Sequence, residues 1–307
     1  MDNKQQRRDF LKKLALMPVL SVSGWSYMKD VNIADEPIEH PFTSSVKTSL
    51  NAYSFNEPFT KGAISPFEMM DFCAKTGFDA IDLTAYYIQG YPDIPGDDYI
   101  FQLKRKAFLL GLEISGTGVR NNFTQPDEGS RKKDIQLVKN WIDVATKIGA
   151  PVIRIFSGPG IPEGYHRKEV TAWVVEAFQE CADYGESKGV MVGLQNHNDF
   201  LKTADQVIQI MNLVESDWFG LILDIGSFRA GDPYTEIEKA APYAISWQIK
   251  EKVYVNEKEE EAQLNRIVNI VRKANYRGYL PLETLGPGDP YKKLPVFLNQ
   301  LKRVLHS

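Results

Sequence analysis

Val190-Met191-Val192-Gly193-Leu194-Gln195-Asn196-His197 decides how this chain folds. A short, unbroken apolar run, preceded by Gly189 and delivering polar side chains at its end, is what a strand buried on both faces requires. The layout returns along the chain. Residues 152–156 carry Arg154, 220–224 end in Asp224, 244–250 carry Gln248 and Lys250, and 279–283 end in Glu283. With 49–53, 80–83 and 113–116, the predicted strands number eight.

Helical periodicity fills the gaps, at 66–75, 97–110, 130–148, 167–188, 203–214, 235–241, 259–274 and 290–305. Ser65 and Pro66 open the first of these as N-cap and first helical residue. Val170, Trp173, Val174, Ala177, Phe178 and Cys181 recur at helical spacing in the fourth. Gly77, Gly111, Gly149, Gly189 and Gly278 stand where left-handed helix exits are needed. Eight strand–helix units predict an α/β chain folded as a (β/α)8 TIM barrel, which takes ~250 residues. A doubly wound open sheet would carry a glycine-rich turn after its first strand, and Ser54-Phe55-Asn56-Glu57 stands there instead.

The chain has 307 residues, 43% apolar and 25% charged, enough to bury one large core. Its net charge of -4, with no long basic run, argues against a nucleic-acid partner. Cys73 and Cys181 lie far apart in helical patterns and read as buried thiols. Residues 1–45 differ from the rest. Arg7-Arg8-Asp9-Phe10-Leu11-Lys12, followed by an apolar stretch at 14–25, resembles a twin-arginine export signal, and 30–45 reads as a polar linker. The alternative is a basic amphipathic helix. No small-x-small cleavage site follows, so removal and retention as an anchor both stay open. The predicted domains are therefore this signal and linker, 1–45, and the barrel, 46–307, in a periplasmic or otherwise exported protein. No run approaches the ~20 apolar residues of a transmembrane span.

In such a barrel the strand ends converge on one face, where active sites are built. Gln195, Asp224, Gln248 and Glu283 would then share one mouth. Two carboxylates and two carboxamides form a hard, oxygen-rich set of net charge -2, suited to Mn²⁺, Mg²⁺ or Ca²⁺ more than to zinc. Rim salt bridges for the acids, and hydrogen bonds to sugar hydroxyls for the amides, are the alternatives. His197, two residues past a strand end, is a candidate for acid–base work or substrate contact. Arg154 and Lys250 would steady an oxyanion on a substrate carbonyl, or serve as counter-ions of the acids. Tyr53, Phe55, Tyr86, Tyr87, Phe156 and Trp247, at or near strand ends, would stack on a pyranose or close the barrel as core.

These segments resemble the sugar phosphate isomerase/epimerase superfamily, the xylose isomerase-like TIM barrels that also include endonuclease IV. Gly193-Leu194-Gln195-Asn196-His197 resembles its Glu-Asn-His strand end, and Leu223-Asp224-Ile225-Gly226-Ser227-Phe228-Arg229 its Asp-x-Gly-His/Asn segment. Trp247-Gln248-Ile249-Lys250-Glu251 resembles His-x-Lys-Asp, and Leu282-Glu283 the final glutamate. The resemblance implies a metal held by Gln195, Asp224, Gln248 and Glu283, with glutamine replacing Glu at the first position and His at the third. It also implies Glu283, His197 and Lys250 as catalytic residues, and Arg154, Asn196, Trp247 and Arg229 as substrate-binding ones. Gln195 cannot take a proton, so epimerisation by paired bases on opposite faces loses one base. The implied function is a metal-assisted isomerase or epimerase of a non-phosphorylated sugar or keto-sugar. A 3-keto-glycoside lyase and a non-catalytic sugar-binding barrel are the alternatives. The partner expected is a small-molecule carbohydrate, and a homo-oligomer is compatible with it. The acidic balance and the four histidines speak against the endonuclease branch.

Overall fold

Strands that are apolar on both faces need a filled interior and an outer layer of helices, and the chain supplies both. The computed structural model describes residues 46–307, so the predicted export signal and linker lie outside the described residues. The strands are β1 (Val46–Asn51), β2 (Ala80–Thr84), β3 (Glu113–Gly118), β4 (Val152–Ile155), β5 (Met191–Gln195), β6 (Phe219–Asp224) and β7 (Ala244–Lys250). A hairpin, β8 (Lys252–Val255) and β9 (Lys258–Glu261), precedes the last barrel strand, β10 (Gly278–Glu283). β1 to β7 and β10 close into one parallel barrel in the order β1-β10-β7-β6-β5-β4-β3-β2. The predicted (β/α)8 TIM barrel is the observed fold.

A short α1 (Asn56–Thr60) follows β1. The outer helices are α2 (Pro66–Thr76), α3 (Asp97–Leu109), α4 (Glu128–Ile148), α5 (Arg167–Lys188), α6 (Ala204–Leu213), α7 (Pro233–Ala240), α8 (Leu264–Lys273) and α9 (Pro290–Leu305). Ser65 caps α2 in a full capping box with Glu68, as the Ser65-Pro66 pair led us to expect. Inside the barrel, Gly193 and Gly220 make room for their neighbours' side chains. An added Cβ would stand 2.5 Å from Ile222 and 2.3 Å from Ile245, so two isoleucines fill the space below the polar strand ends.

The structure departs from the sequence reading in three places. β1 begins at Val46 and ends at Asn51, whose side chain accepts the Tyr53 N–H and turns Ala52–Phe55 into a 3₁₀ turn. Gly278 does not end a helix. It opens β10, and Asn275 (φ 49°) takes the left-handed position after α8. The hairpin was not anticipated, and Glu259–Glu261, expected to begin a helix, pairs with β8 instead. Asn256 and Glu257, both at positive φ, form its two-residue turn. Among the described residues no helix is long and apolar enough to cross a membrane.

Candidate active site

Strand geometry places the site before any side chain is considered. Asp224 pairs in register with Gln248, and Glu283 with Lys250, so β6, β7 and β10 deliver their acids and lysine to one end of the barrel. Asp224 is fully buried, Gln248 likewise, and Gln195, Glu283 and Arg154 nearly so. The expected meeting of Gln195, Asp224, Gln248 and Glu283 is found, with Lys250 and Arg154 among them.

Lys250 Nζ lies 2.8 Å from Asp224 Oδ2 and 3.4 Å from Glu283 Oε1, bridging the two acids. Gln195 Nε2 donates to the same Asp224 oxygen at 2.7 Å, while its Oε1 accepts from Arg154 Nη1 at 3.3 Å. Gln248, oriented as its neighbours require, donates its amide N–H to Glu283 Oε2 at 2.7 Å. Its oxygen accepts from Asn51 Nδ2 at 2.7 Å and Arg154 Nη1 at 3.3 Å. Arg154 Nη2 donates to the Tyr86 hydroxyl at 3.4 Å.

The electrostatics follow from burial and these pairs. Burial alone would raise the Asp224 pKa, but the ammonium of Lys250 offsets it and holds the carboxyl below its ordinary value. Glu283 goes the other way. Burial raises its pKa, the charge on Asp224 adds to the rise, and Lys250 and Arg154 oppose it incompletely. Lys250 is buried, which disfavours its charge, yet the two carboxylates hold it protonated. Arg154 is likewise kept charged, against burial, by Tyr86, Asp82 and Glu283.

A divalent ion does not fit this donor set. Gln195 turns its N–H toward the Asp224 carboxylate and its oxygen toward the guanidinium, the reverse of what a ligand to a cation presents, and the neighbours of Gln248 are satisfied when its amide is assigned the same sense. A dication about 4 Å from the ammonium would meet a repulsion of roughly 8 kcal/mol at an effective dielectric constant of 20. Among the described residues no group of three or more His, Cys, Asp and Glu side chains is arranged to hold a metal.

Of the other expected site residues, His197 stands at the mouth, half-exposed, its ring 5.1 Å from Phe156 and Nδ1 3.8 Å from Asp199. Burial of its inner edge lowers its pKa, outweighing the pull of Asp224 and Asp199, so the imidazole is neutral at pH 7. Asn196 is not free to bind substrate. Its amide donates to the Asp224 carbonyl at 2.9 Å and accepts the Asp224 N–H at 2.8 Å, clamping that backbone. Trp247 is not at the mouth either. It alternates with Gln248, is fully buried, and packs edge-on to Tyr276 with ring centroids 6.0 Å apart. Phe55 also is core, against Phe72 and Tyr291. Arg229 lies over the Tyr254 ring of the hairpin at 4.2 Å. Tyr53, Tyr86 and Tyr87 do form one aromatic wall, extended by Phe59 stacked on Tyr87 at 4.4 Å.

Three contributors escaped the sequence reading. Asp82, near the end of β2, is buried with Oδ1 unpartnered, and burial first, then Glu283, pushes its pKa up to about 6 against the pull of Arg154. An acid inside Ala80-Ile81-Asp82-Leu83 was the available signal. Asn51 was hidden by the misplaced end of β1. Gly118 leaves space that Arg154 crosses, for an added Cβ would stand 2.7 Å from its Nε.

The description of the xylose isomerase-like TIM barrel matches residues 70–301. No curated protein sequence matches the chain. Among solved structures, D-psicose 3-epimerase from Clostridium cellulolyticum H10, solved with D-tagatose, superposes with a TM-score of 0.72 at 18% identity, over 84% of this chain and 99% of that one. The 3-keto-D-glucoside 4-epimerase of E. coli gives 0.67 at 13% identity, over 84% and 99%. A xylose isomerase-like TIM barrel protein from Mycobacterium smegmatis, in complex with magnesium, gives 0.64 at 16%, over 86% and 97%. At these identities the likeness is one of fold, and with the match across most of the barrel it settles the family. The chain belongs to the xylose isomerase-like TIM barrel family.

Proposed function

We propose that the protein is a carbohydrate isomerase or epimerase acting on a non-phosphorylated sugar or keto-sugar, by removing a proton next to a carbonyl. The observation that carries this is Glu283, a buried carboxyl with a raised pKa, facing Lys250 and Arg154 across the barrel mouth. Glu283 takes the α-proton, and the electron pair of that C–H bond moves onto the carbonyl oxygen. Lys250 stabilises the resulting oxyanion, with His197 at the rim as a neutral donor to the same region. Return of the proton to the former carbonyl carbon, while the adjacent hydroxyl passes its proton to the oxyanion and becomes the new carbonyl, completes isomerisation. The epimerases similar in fold act on ketoses and a 3-keto-glucoside, the substrate class we carry over. Tyr53, Tyr86 and Tyr87 offer the apolar face of a sugar ring a wall to rest on.

A second reading, lyase action on 3-keto-glycosides, is favoured by Gln195. Elimination needs one base, and Gln195 supplies no second one. The electron pair then re-forms the carbonyl as the β-substituent leaves. Both reactions share proton removal, but exchange reads the isomerase, and release of the aglycone from a 3-keto-glycoside reads the lyase, so both are followed together. Purified protein incubated in D₂O with ketoses and 3-keto-glucosides is expected to place deuterium next to the carbonyl, seen by NMR, and Glu283→Gln is expected to lose that exchange. Saturable sugar binding with neither exchange nor aglycone release would leave a binding protein instead. Export through the segment around Arg7-Arg8 is part of the proposal, and fractionation of cells expressing Arg7→Lys/Arg8→Lys protein tests it.

A further inference from the structure

We infer that Lys250 is the site's resident cation, and that the barrel mouth polarises a substrate carbonyl with its own ammonium and guanidinium in place of a bound divalent ion. The inference deepens the sugar reading above and rests on it for the identity of the substrate.

Three independent features converge on it. The first is geometry. Nζ of Lys250 sits between Asp224 and Glu283, at 2.8 and 3.4 Å, where the two acids would otherwise face one another without compensation. The second is polarity. Gln195 gives the Asp224 carboxylate an N–H and gives Arg154 an oxygen, so this amide is wired for a site whose cations belong to the protein, and Gln248 satisfies Glu283 and Arg154 when its amide is assigned the same sense. A metal would need the Gln195 amide to turn over, leaving its buried N–H groups facing a guanidinium. The third is space. An added Cβ at Gly226 would stand 2.8 Å from Cδ of Lys250, and one at Gly118 2.7 Å from Nε of Arg154, so the chain clears a path for each cationic side chain. Gly226 also donates its N–H to Asp224 Oδ1 at 2.9 Å, so both oxygens of that carboxylate are hydrogen-bonded within the protein.

The charges are matched as well: the carboxylates of Asp224 and Glu283 stand against the ammonium of Lys250 and the guanidinium of Arg154. The remaining donor capacity of Lys250 and Arg154 is available to a carbonyl oxygen, which becomes the oxyanion when Glu283 takes the proton.

The test is Mn²⁺ binding by the full chain, followed by loss of the free-ion EPR signal and by melting temperature. The wild type is expected to leave the signal of free Mn²⁺ intact, with an apparent Kd weaker than about 1 mM, and to melt at the same temperature with Mn²⁺ or EDTA. Gln195→Glu/Gln248→Glu, which turns two donors into acceptors at constant shape, is expected to bind at least about tenfold tighter. Stoichiometric binding by the wild type with a rise in melting temperature would overturn the inference, and this result does not depend on whether the variant folds. Deuterium exchange separates the two ideas. A wild type that ignores Mn²⁺ and exchanges no sugar proton keeps the resident cation and loses the sugar reading. One that binds Mn²⁺ and exchanges protons loses the cation and keeps the sugar.

Discussion

Glu283 carries the proposed chemistry alone, because the amide at Gln195 cannot take a proton. Replacing Glu283 by Gln keeps its shape and removes the base, so α-proton exchange is expected to fall by roughly 10²–10⁴-fold with the fold intact. The pH dependence follows from the direction of its shift. The carboxyl must be ionised to act and its pKa is raised, so activity is expected to drop on the acid side at a pH above the ordinary glutamate range. An acid limb at ordinary carboxylate values would mean that another group is the base. Asn196 tests positioning. It is buried and spends both ends of its amide on the Asp224 backbone, so Asn196→Ala strands the Asp224 N–H at a cost of about 1–3 kcal/mol. Because both ends of its amide are spent on the backbone, kcat is expected to fall while KM holds. Trp247 gives the control: Trp247→Phe removes an indole N–H that has no partner, and both kcat and KM are expected to be unchanged.

At the scale of elements, the turn after β6 matters more than its length suggests. Asp224 ends the strand, Gly226 donates back to its carboxylate, and Lys250 from β7 crosses close above. A methyl group at Gly226 meets the Lys250 side chain, which can move, and the carbonyl of Lys252 at 3.2 Å, which is backbone at the start of β8 and cannot move as easily. Gly226→Ala is therefore expected to cost about 1–3 kcal/mol in urea unfolding and to displace Lys250, with proton exchange reduced. Unchanged stability and exchange together would show that the lysine does not need its present path. The hairpin β8–β9 also holds Arg229. Tyr254 holds the guanidinium by its ring face, and Arg229's own carbonyl accepts the Glu257 N–H at 2.8 Å. Nothing in Lys258-Glu259-Glu260-Glu261 announced a strand, since four charged residues read more readily as a solvated helix start.

Across the whole molecule, what could be read from the chain was what repeats. Apolar runs ending in polar residues gave the closed barrel, and α5 and α9 fall at the predicted bounds, because burial on two faces leaves a periodic trace. The meeting of Asp224, Glu283, Gln195 and Gln248 followed from topology alone. What stayed hidden depends on side-chain direction. Which way an amide turns, whether a lysine bridges two acids, and that Trp247 faces the helices are set by neighbours far off in sequence. The buried charge this creates has a consequence for the fold as a whole. Asp82 is pushed from 3.8 up to about 6, so the folded state holds its proton more tightly than the unfolded chain does. Its favourable contribution is complete below the unfolded value and is lost as pH rises through about 6, a difference of about 3 kcal/mol at 1.36 kcal/mol per pH unit. Asp82→Asn does not titrate, so its stability relative to the wild type is expected to rise between pH 4.5 and pH 7.5, reduced by whatever attraction to Arg154 is lost. Urea unfolding at the two pH values measures this directly, and a difference independent of pH would mean that the Asp82 carboxyl titrates normally in the folded barrel.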